Sequence, residues 1–517
     1  MRSRKHIWIA VGFCLGLTLF SLGKAAVTSE LIGFSGGEVF GHAWTHWWRG
    51  EQLPQWAAGT DLTVGTSVFP AIDPIPTLIS ALFTRLGGPS FGYNSWVFFA
   101  VFLTACGGYV LSLREQGDPF IGALVLAWSP LYLGAVESGL TEDMGLGIVA
   151  LALALLKNRP IWSGILMVVV GWCGLVLGWL SGILAVLLGC RIWWSGSKQV
   201  FVSGFVTVLG TAPLLYIHWD RISLKGHRFG IHQEIIEPFW WLNPWRQVDA
   251  ASLFWLGGQD YGSEIIRIHP GYLGVSLCVV GLFSRSFFWW GVFVFFIAMS
   301  FGSTIYWQGA NTGLSNPIHA LCTFIPGHGL LNHHGRCMLM AAIALSVLTA
   351  KGIKNIPRPQ IWKTLIALEL IFFSPIGVIA SGTKTVSSPV LDQVSIEDGR
   401  LLRVPTVGPG ISFQRALWEQ SVHKEPLLLN PNRPGASPLL DLDPEQAAWI
   451  DRLAFRESAD LDIDCVPDEI GGILATDSVK QLLQQRFGKA KVADSQYAFW
   501  SKTELMSARC NSDAQRD

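Results

Sequence analysis

The chain has 517 residues, half of them hydrophobic and only 14% charged, with zero formal net charge and a mean hydropathy of +0.39. A soluble chain carries roughly 25% charged residues, so the deficit, with the long apolar runs, excludes an ordinary soluble globule and points to a polytopic membrane protein. The balanced charge argues against a nucleic-acid partner, and the nine cysteines show no CxxC pair and no familiar Cys/His zinc spacing.

Arg2, Arg4 and Lys5 precede an apolar run from His6 to about Val27. No small-residue cleavage site follows it, so it reads as a first membrane helix with its N-terminus inside. Lys24 sits at the outer end, where it can snorkel. Next comes Gly36 to Pro76, too aromatic for a solvated linker and too polar to span a bilayer. Its acid Glu38 stands among Trp44, Trp47, Trp48 and Trp56. An interfacial anchor and an active site at the water–lipid boundary both account for that pattern, since Trp is enriched at this depth.

Further apolar segments lie at roughly 94–113, 119–137, 143–157, 161–175, 176–192, 200–217, 271–284, 287–303, 335–352 and 361–381, about eleven spans in all. Several are shorter than the ~20 residues a straight crossing needs. The 161–192 pair reads as two spans, one long tilted helix or a re-entrant hairpin. Arg114, Lys157, Arg159, Arg191, Lys198, Arg285, Lys351, Lys354, Arg358 and Lys363 fall on the side shared with the N-terminus, as the positive-inside rule requires. Loops 28–93, 218–270 and 304–334, and the tail, then face outward.

The tail changes character at Thr383. Leu401–Pro405 reads as a strand, and Asp443-Pro444-Glu445-Gln446 as a helix start with Ile450, Leu453 and Ala454 on its apolar face. A strand at Gly472–Thr476 leads into a helix capped by Asp477 or Ser478, carrying Val479, Leu482, Leu483 and Phe487 and ended by Gly488. Gln496–Trp500 closes the alternation, which predicts a small extracytoplasmic α/β domain over 383–517 beside a transmembrane domain over 1–382. Cys465 and Cys510 lie in this tail and could pair in an oxidising compartment.

A second acidic cluster, Glu137 and Thr141-Glu142-Asp143, falls between the third and fourth spans, on the outer face with Glu38. Carboxylates near hydrocarbon are costly and usually have a task or a partner. Helix capping by Thr141 explains part of the pattern. A transferase would use such acids to take a proton from a hydroxyl or to hold a metal beside a phosphate. Loop 218–270 adds Arg221, Lys225, His227, Arg228, His232 and Arg246, a basic set able to hold a phosphate or to contact lipid headgroups. In the last outer loop His328, His333 and His334 fit no common zinc spacing, and Arg336 reads as an anion contact or headgroup anchor.

In order along the chain, these features resemble the GT-C superfamily of polyprenol-dependent membrane glycosyltransferases, and more closely a bacterial group of large GT-C-like membrane proteins. The resemblance rests on Gly37-Glu38, Trp47 to Trp56, the Asp73-Pro74 turn, Gly88-Pro89 with Tyr93-Asn94, and Trp128-Ser129-Pro130 before Glu142-Asp143. It continues through Ile325-Pro326-Gly327, Leu331 to Arg336, a span ending Leu348 to Gly352, Arg403-Val404-Pro405 and His423 to Pro426. The chain departs from the pattern in having a lone Glu38 with no neighbouring Asp, and Asn332-His333-His334 where relatives tend to carry a further Arg.

The resemblance implies a multi-pass enzyme of the bacterial inner membrane, N-terminus cytoplasmic, with its site at the outer leaflet. A sugar would pass from a polyprenyl-phosphate donor to an envelope glycan, lipid or protein, with membrane lipids as the other partner. By matching position Glu38, Glu142 and Asp143 are the catalytic acids, assisted by a divalent metal such as Mg or Mn. His42, Trp44, Asp61, Asp73, Arg228, Arg246 and Arg336 are the candidate substrate contacts. The alternative is a non-catalytic GT-C-like protein that handles lipid or glycan or scaffolds assembly.

Overall fold

The computed structural model describes residues 4–26, 30–34, 39–51, 73–217, 274–307, 310–322, 324–325, 331, 334–385, 388–397, 399–404, 411–425, 427 and 470–505. The chain divides into two compact units. One comprises Met1–Val39, Ile72–Arg228 and Ile236–Thr383, and the other Phe40–Ala71, Phe229–Ile235 and Lys384–Asp517.

The first unit is a helical bundle. Its helices are α1 (Arg4–Leu22), α3 (Pro74–Arg114), α4 (Pro119–Trp128), α5 (Pro130–Ser138), α6 (Leu146–Leu155), α7 (Pro160–Cys173), α8 (Leu175–Trp194) and α9 (Val200–Ile217). They continue with α10 (Val275–Leu282), α11 (Phe287–Ser300), α12 (Pro317–Cys322), α13 (Cys337–Gly352), α14 (Pro359–Phe373) and α15 (Ile376–Ser381). A two-stranded hairpin, β1 (Thr304–Trp307) with β2 (Ala310–Ser315), precedes α12. The first-unit part of 39–51 is Val39 alone.

Among the described residues four stretches, not eleven, are long and apolar enough to cross a bilayer unaided: Pro74–Arg114, Pro119–Ser138, Leu175–Trp194 and His334–Gly352. The reason is local. Gly174 ends α7 after 14 residues, separating it from α8. Ser374-Pro375 interrupts the last segment between α14 and α15. Helices such as α6, with 10 residues, and α7, with 14, extend only about 15 and 21 Å at 1.5 Å per residue, against a ~30 Å hydrocarbon layer. The 161–192 stretch is thus two helices.

Large apolar side chains nevertheless cover the bundle's outside. Leu86, Trp194, Phe205, Phe287 and Phe372 are all exposed, whereas Thr77, Ser80, Asn94, Thr104 and Ser112 are buried. Polar inside and apolar outside is the arrangement lipid demands, because a polar group facing hydrocarbon has no partner. Small residues let the helices approach. A Cβ at Gly147 would collide with the backbone of Leu103 and Thr104, and one at Gly108 would lie 2.5 Å from the Gly122 carbonyl oxygen.

Charged groups gather at one end of this bundle. The Glu115 carboxylate, just past α3, meets Arg191 at 3.3 Å and Lys351 at 3.8 Å, and accepts from Trp289 Nε1 at 2.8 Å. Nearby Asp118 meets Lys363 at 2.8 Å, and Lys354 donates to the Gln116 carbonyl at 2.7 Å. The start of α10 is held from another helix: Glu369 of α14 accepts the Ser276 backbone N–H at 3.1 Å and the Ser276 hydroxyl. That carboxylate satisfies one of the backbone donors that a helix leaves open at its first turn.

The second unit holds α2 (Val39–Glu51) from Phe40 onward, and the described part of the tail: α16 (Pro389–Asp392), β3 (Arg400–Val404), α17 (Ile411–His423), β4 (Ile470–Thr476), α18 (Asp477–Phe487), β5 (Val492–Ala493) and β6 (Tyr497–Ser501). The sheet order is β3-β4-β6-β5, with β3 parallel to β4 and β6 antiparallel to it. The three tail strands and the Val479–Phe487 helix anticipated from sequence are present, though Thr476 is the N-cap of α18 and its side chain makes no capping bond. The helix expected from Asp443, with Cys465 and Cys510, lies outside the described residues.

Behind the sheet a buried charge network holds α17. Arg403 donates to both Glu419 oxygens at 3.0 and 3.2 Å, and Tyr497 donates its hydroxyl to Glu419 at 2.7 Å. Pairing and hydrogen bonding in this way offset part of the solvation that the buried charges lose.

Candidate active site

Within the first unit the turn between α5 and α6 is the focal point. Gly139 takes a left-handed φ of 77 and ends α5, where a Cβ would come within 2.6 Å of the Val39 backbone. The Asp143 N–H bonds back to the Leu140 carbonyl at 3.0 Å, and Tyr132 donates to the Met144 carbonyl at 3.3 Å. A Cβ at Gly174 would sit 2.7 Å from Glu142 Cβ, so the α7–α8 junction closes directly over this turn. The turn is therefore shaped by side chains and glycines from four helices.

Three parts of the chain meet there. Arg336, from the short 3-10 turn His334–Arg336 before α13, donates Nη2 to Glu142 Oε1 at 2.8 Å. Its Nε lies 3.0 Å from Asp143 Oδ2. The side chains of Arg336, Glu142 and Asp143 are 6%, 7% and 0% exposed. Asp73, at the start of α3, accepts the Thr77 hydroxyl at 3.1 Å and the Thr141 hydroxyl on its other oxygen. Glu137 is buried too, and its carbonyl accepts the Phe34 N–H at 2.7 Å. Glu142 and Asp143 thus share one arginine, and Asp73 is tied to the same turn through Thr141, an anionic balance for a low-dielectric place.

This arrangement revises the capping reading. Helix α6 begins at Leu146 with Gly145 as its N-cap. Thr141 serves Asp73 instead, and Glu142 and Asp143 serve Arg336. The Asp73–Thr141 link joins residues 68 positions apart and had no sequence signal. Glu38, Asp61, Arg228 and Arg246, with His328 and His333, lie outside the described residues, as does all of loop 218–270.

His42 and Trp44 belong to the second unit. Trp44 is buried, stacks on Trp48 with ring centroids 5.8 Å apart, and donates Nε1 to Gln420 Oε1 at 2.9 Å. Among the described residues it is a core side chain of that unit. His42 and His46 are both buried one helical turn apart, with ring nitrogens within 4.8 Å of each other.

The divalent ion implied by the resemblance can be tested against these donors. Glu142 and Asp143 give up one oxygen each to Arg336, which places a cation where Mg or Mn would have to bind, so they do not fit as a metal cradle. The His42–His46 pair supplies two buried imidazoles, ligands that could hold a transition-metal ion and that Mg does not favour.

No family model matches the chain, and no curated protein matches it. Solved structures do. ArnT from Cupriavidus metallidurans in the apo state aligns over 98% of this chain and 99% of its own, with 13% identity and a TM-score of 0.51. ArnT bound to undecaprenyl phosphate covers 96% and 98% at 12% identity, TM-score 0.48. The archaeal oligosaccharyltransferase AglB from Archaeoglobus fulgidus, in complex with an inhibitory peptide and a dolichol-phosphate, covers 92% and 70% at 12% identity, TM-score 0.44. The chain therefore shares a membrane-protein fold with a solved structure over nearly its whole length. In particular it is similar to apo ArnT from end to end, and at 13% identity that is a likeness of fold.

Proposed function

We propose that this protein is a membrane glycosyltransferase of the bacterial inner membrane that moves a sugar from a polyprenyl-phosphate donor to an envelope glycan, lipid or protein at the outer face. The observation that carries the reading is the buried meeting of Glu142 and Asp143 with Arg336, beside the Thr141–Asp73 link, inside a bundle of this fold. Burying two acids on one guanidinium costs stability, and such costs are borne mainly at sites that do chemistry.

In this scheme Glu38 takes the proton from the acceptor hydroxyl as that oxygen attacks the sugar's anomeric carbon. Polyprenyl phosphate leaves with the bonding electrons. A direct displacement with inversion is the simpler course, since no covalent nucleophile pair is evident. Glu142 and Asp143 orient the acceptor. Arg336 is engaged with both of them, so its part is to hold the acids in place, and Arg228 and Arg246 of loop 218–270 are left to meet the phosphate. The N-terminus faces the cytoplasm, and the 383–517 domain faces outward.

The test is turnover of a synthetic polyprenyl-phosphate sugar by the reconstituted protein with envelope extract as acceptor source. Glu38→Gln and Asp143→Asn each lower polyprenyl-phosphate release by orders of magnitude with folding unchanged. The closed Arg336–carboxylate arrangement favours one other reading, a non-catalytic scaffold. Unchanged cellular function in the Glu38→Gln strain would establish that reading and end the first.

A further inference from the structure

We propose that His319, Cys322, His334 and Cys337 form a structural zinc site in the first unit. The chain writes one pattern twice, His319-Ala320-Leu321-Cys322 and His334-Gly335-Arg336-Cys337. Residues three apart share a helix face, so each copy presents an imidazole and a thiol together. The first copy ends α12, and the second runs from the 3-10 turn into the first residue of α13. Both α12 and the 3-10 turn pack on α11.

The structure brings the two copies face to face. The His319 and His334 rings lie 5.0 Å apart with planes at 51°. Two imidazoles on one tetrahedral zinc, each bonded at about 2.0 Å, have ring centres about 5 Å apart. One turn further along each copy, the thiols of Cys322 and Cys337 are near enough to interact electrostatically. His334, Cys322 and Cys337 are 3%, 2% and 0% exposed, so water competes poorly for a bound ion. The four donor atoms stand farther apart than zinc would hold them, and side-chain rotation completes the site as the ion binds.

The charge balance suits the place. Two thiols release their protons to solvent, and two thiolates with two neutral imidazoles cancel the two charges of the ion. The neutral complex is tolerated where a bare cation is not. Two sulfur and two nitrogen donors select zinc over the hard cations. With all four positions filled by protein, the ion has no open site for substrate and acts as a clamp. Arg336 lies between the two ligands of the second copy, so the clamp fixes the guanidinium that Glu142 and Asp143 hold. None of this depends on sugar transfer.

The full-length protein, purified in detergent without chelator, should carry one zinc per chain by mass-spectrometric metal analysis. After zinc removal, cobalt should restore an intense tetrahedral visible spectrum with a thiolate-to-cobalt charge-transfer band. Cys322→Ser with Cys337→Ser should abolish that band and weaken zinc retention by more than about tenfold, whereas Cys190→Ser on α8 should change neither. Should the double variant misfold, His319→Ala decides, because it keeps both thiols and must still weaken zinc retention. Wild-type protein that neither retains zinc nor gives the cobalt–thiolate band overturns the proposal. So does a Cys322–Cys337 disulfide found in the intact protein.

Discussion

Replacing Arg336 by Met removes one cation from between two buried carboxylates and keeps most of the side-chain volume. The two contacts, at 2.8 and 3.0 Å, are each worth ~4 kcal/mol gross at an effective dielectric of ~20 with charge centres ~4 Å apart. Against the resulting ~8 kcal/mol stands the cost of burying the guanidinium, several kcal/mol, which the variant no longer bears. The net loss is about 3–5 kcal/mol, the range found when a buried pair loses one member. Reversible unfolding in mixed micelles, followed as SDS mole fraction rises, reads this directly. Adding Glu142→Gln and Asp143→Asn to Arg336→Met removes the uncompensated charges and should restore at least half of the loss. A cost below about 1 kcal/mol, typical of an exposed pair, refutes the burial argument. So does a triple variant no more stable than the single one.

Thr141→Val keeps the shape but takes a donor from the buried Asp73 carboxylate, and should cost about 1–3 kcal/mol in the same titration. Gly147→Val, which drives a side chain into Leu103 and Thr104, should abolish monodisperse protein on size exclusion, whereas Gly12→Ala, with nothing within 4 Å, should leave the profile unchanged. His423 is buried, which pushes its pKa from 6.5 down to about 4 against the opposing pull of Glu419. The unfolded chain binds this proton near pH 6.5 and the folded chain only near 4, so the stabilisation is full above about 6.5 and is lost on acidification toward 4, about 3 kcal/mol in all. Protonation at Nδ1 would also break the bond it accepts from the Glu425 N–H at 3.0 Å. Hydrogen exchange of residues 411–425 in the full chain should show that loss, and His423→Gln should flatten it.

Apolar runs made the helices legible, because hydrocarbon leaves little freedom in composition. The tail strands and the Val479–Phe487 helix were legible for a similar reason, their alternation being local. The number of crossings was not. Gly174 and Ser374-Pro375 cut or shorten segments whose hydropathy alone looks continuous. Glu142, Asp143 and Arg336 stood out as charges beside membrane segments, but nothing local said that they bind one another across 194 residues. Trp44 illustrates the opposite error: a tryptophan in an aromatic stretch suggests an interface, yet its partner Gln420 lies 376 residues away in the same unit's core. The doubled His-x-x-Cys pattern has a spacing that matches no familiar finger, and only the contact between α12 and the 3-10 turn gives it meaning.

The grip of Glu369 on Ser276 bears on how the chain is made. An eight-residue helix, about 12 Å long, cannot settle in lipid by itself, and its Ser276 amide takes an acceptor that synthesis delivers 93 residues later. Until α14 emerges, α10 lacks the acceptor that the finished fold gives its Ser276 amide. A ribosome stalled before residue 369 would therefore leave it accessible to a protease or a water-soluble label that the finished protein excludes.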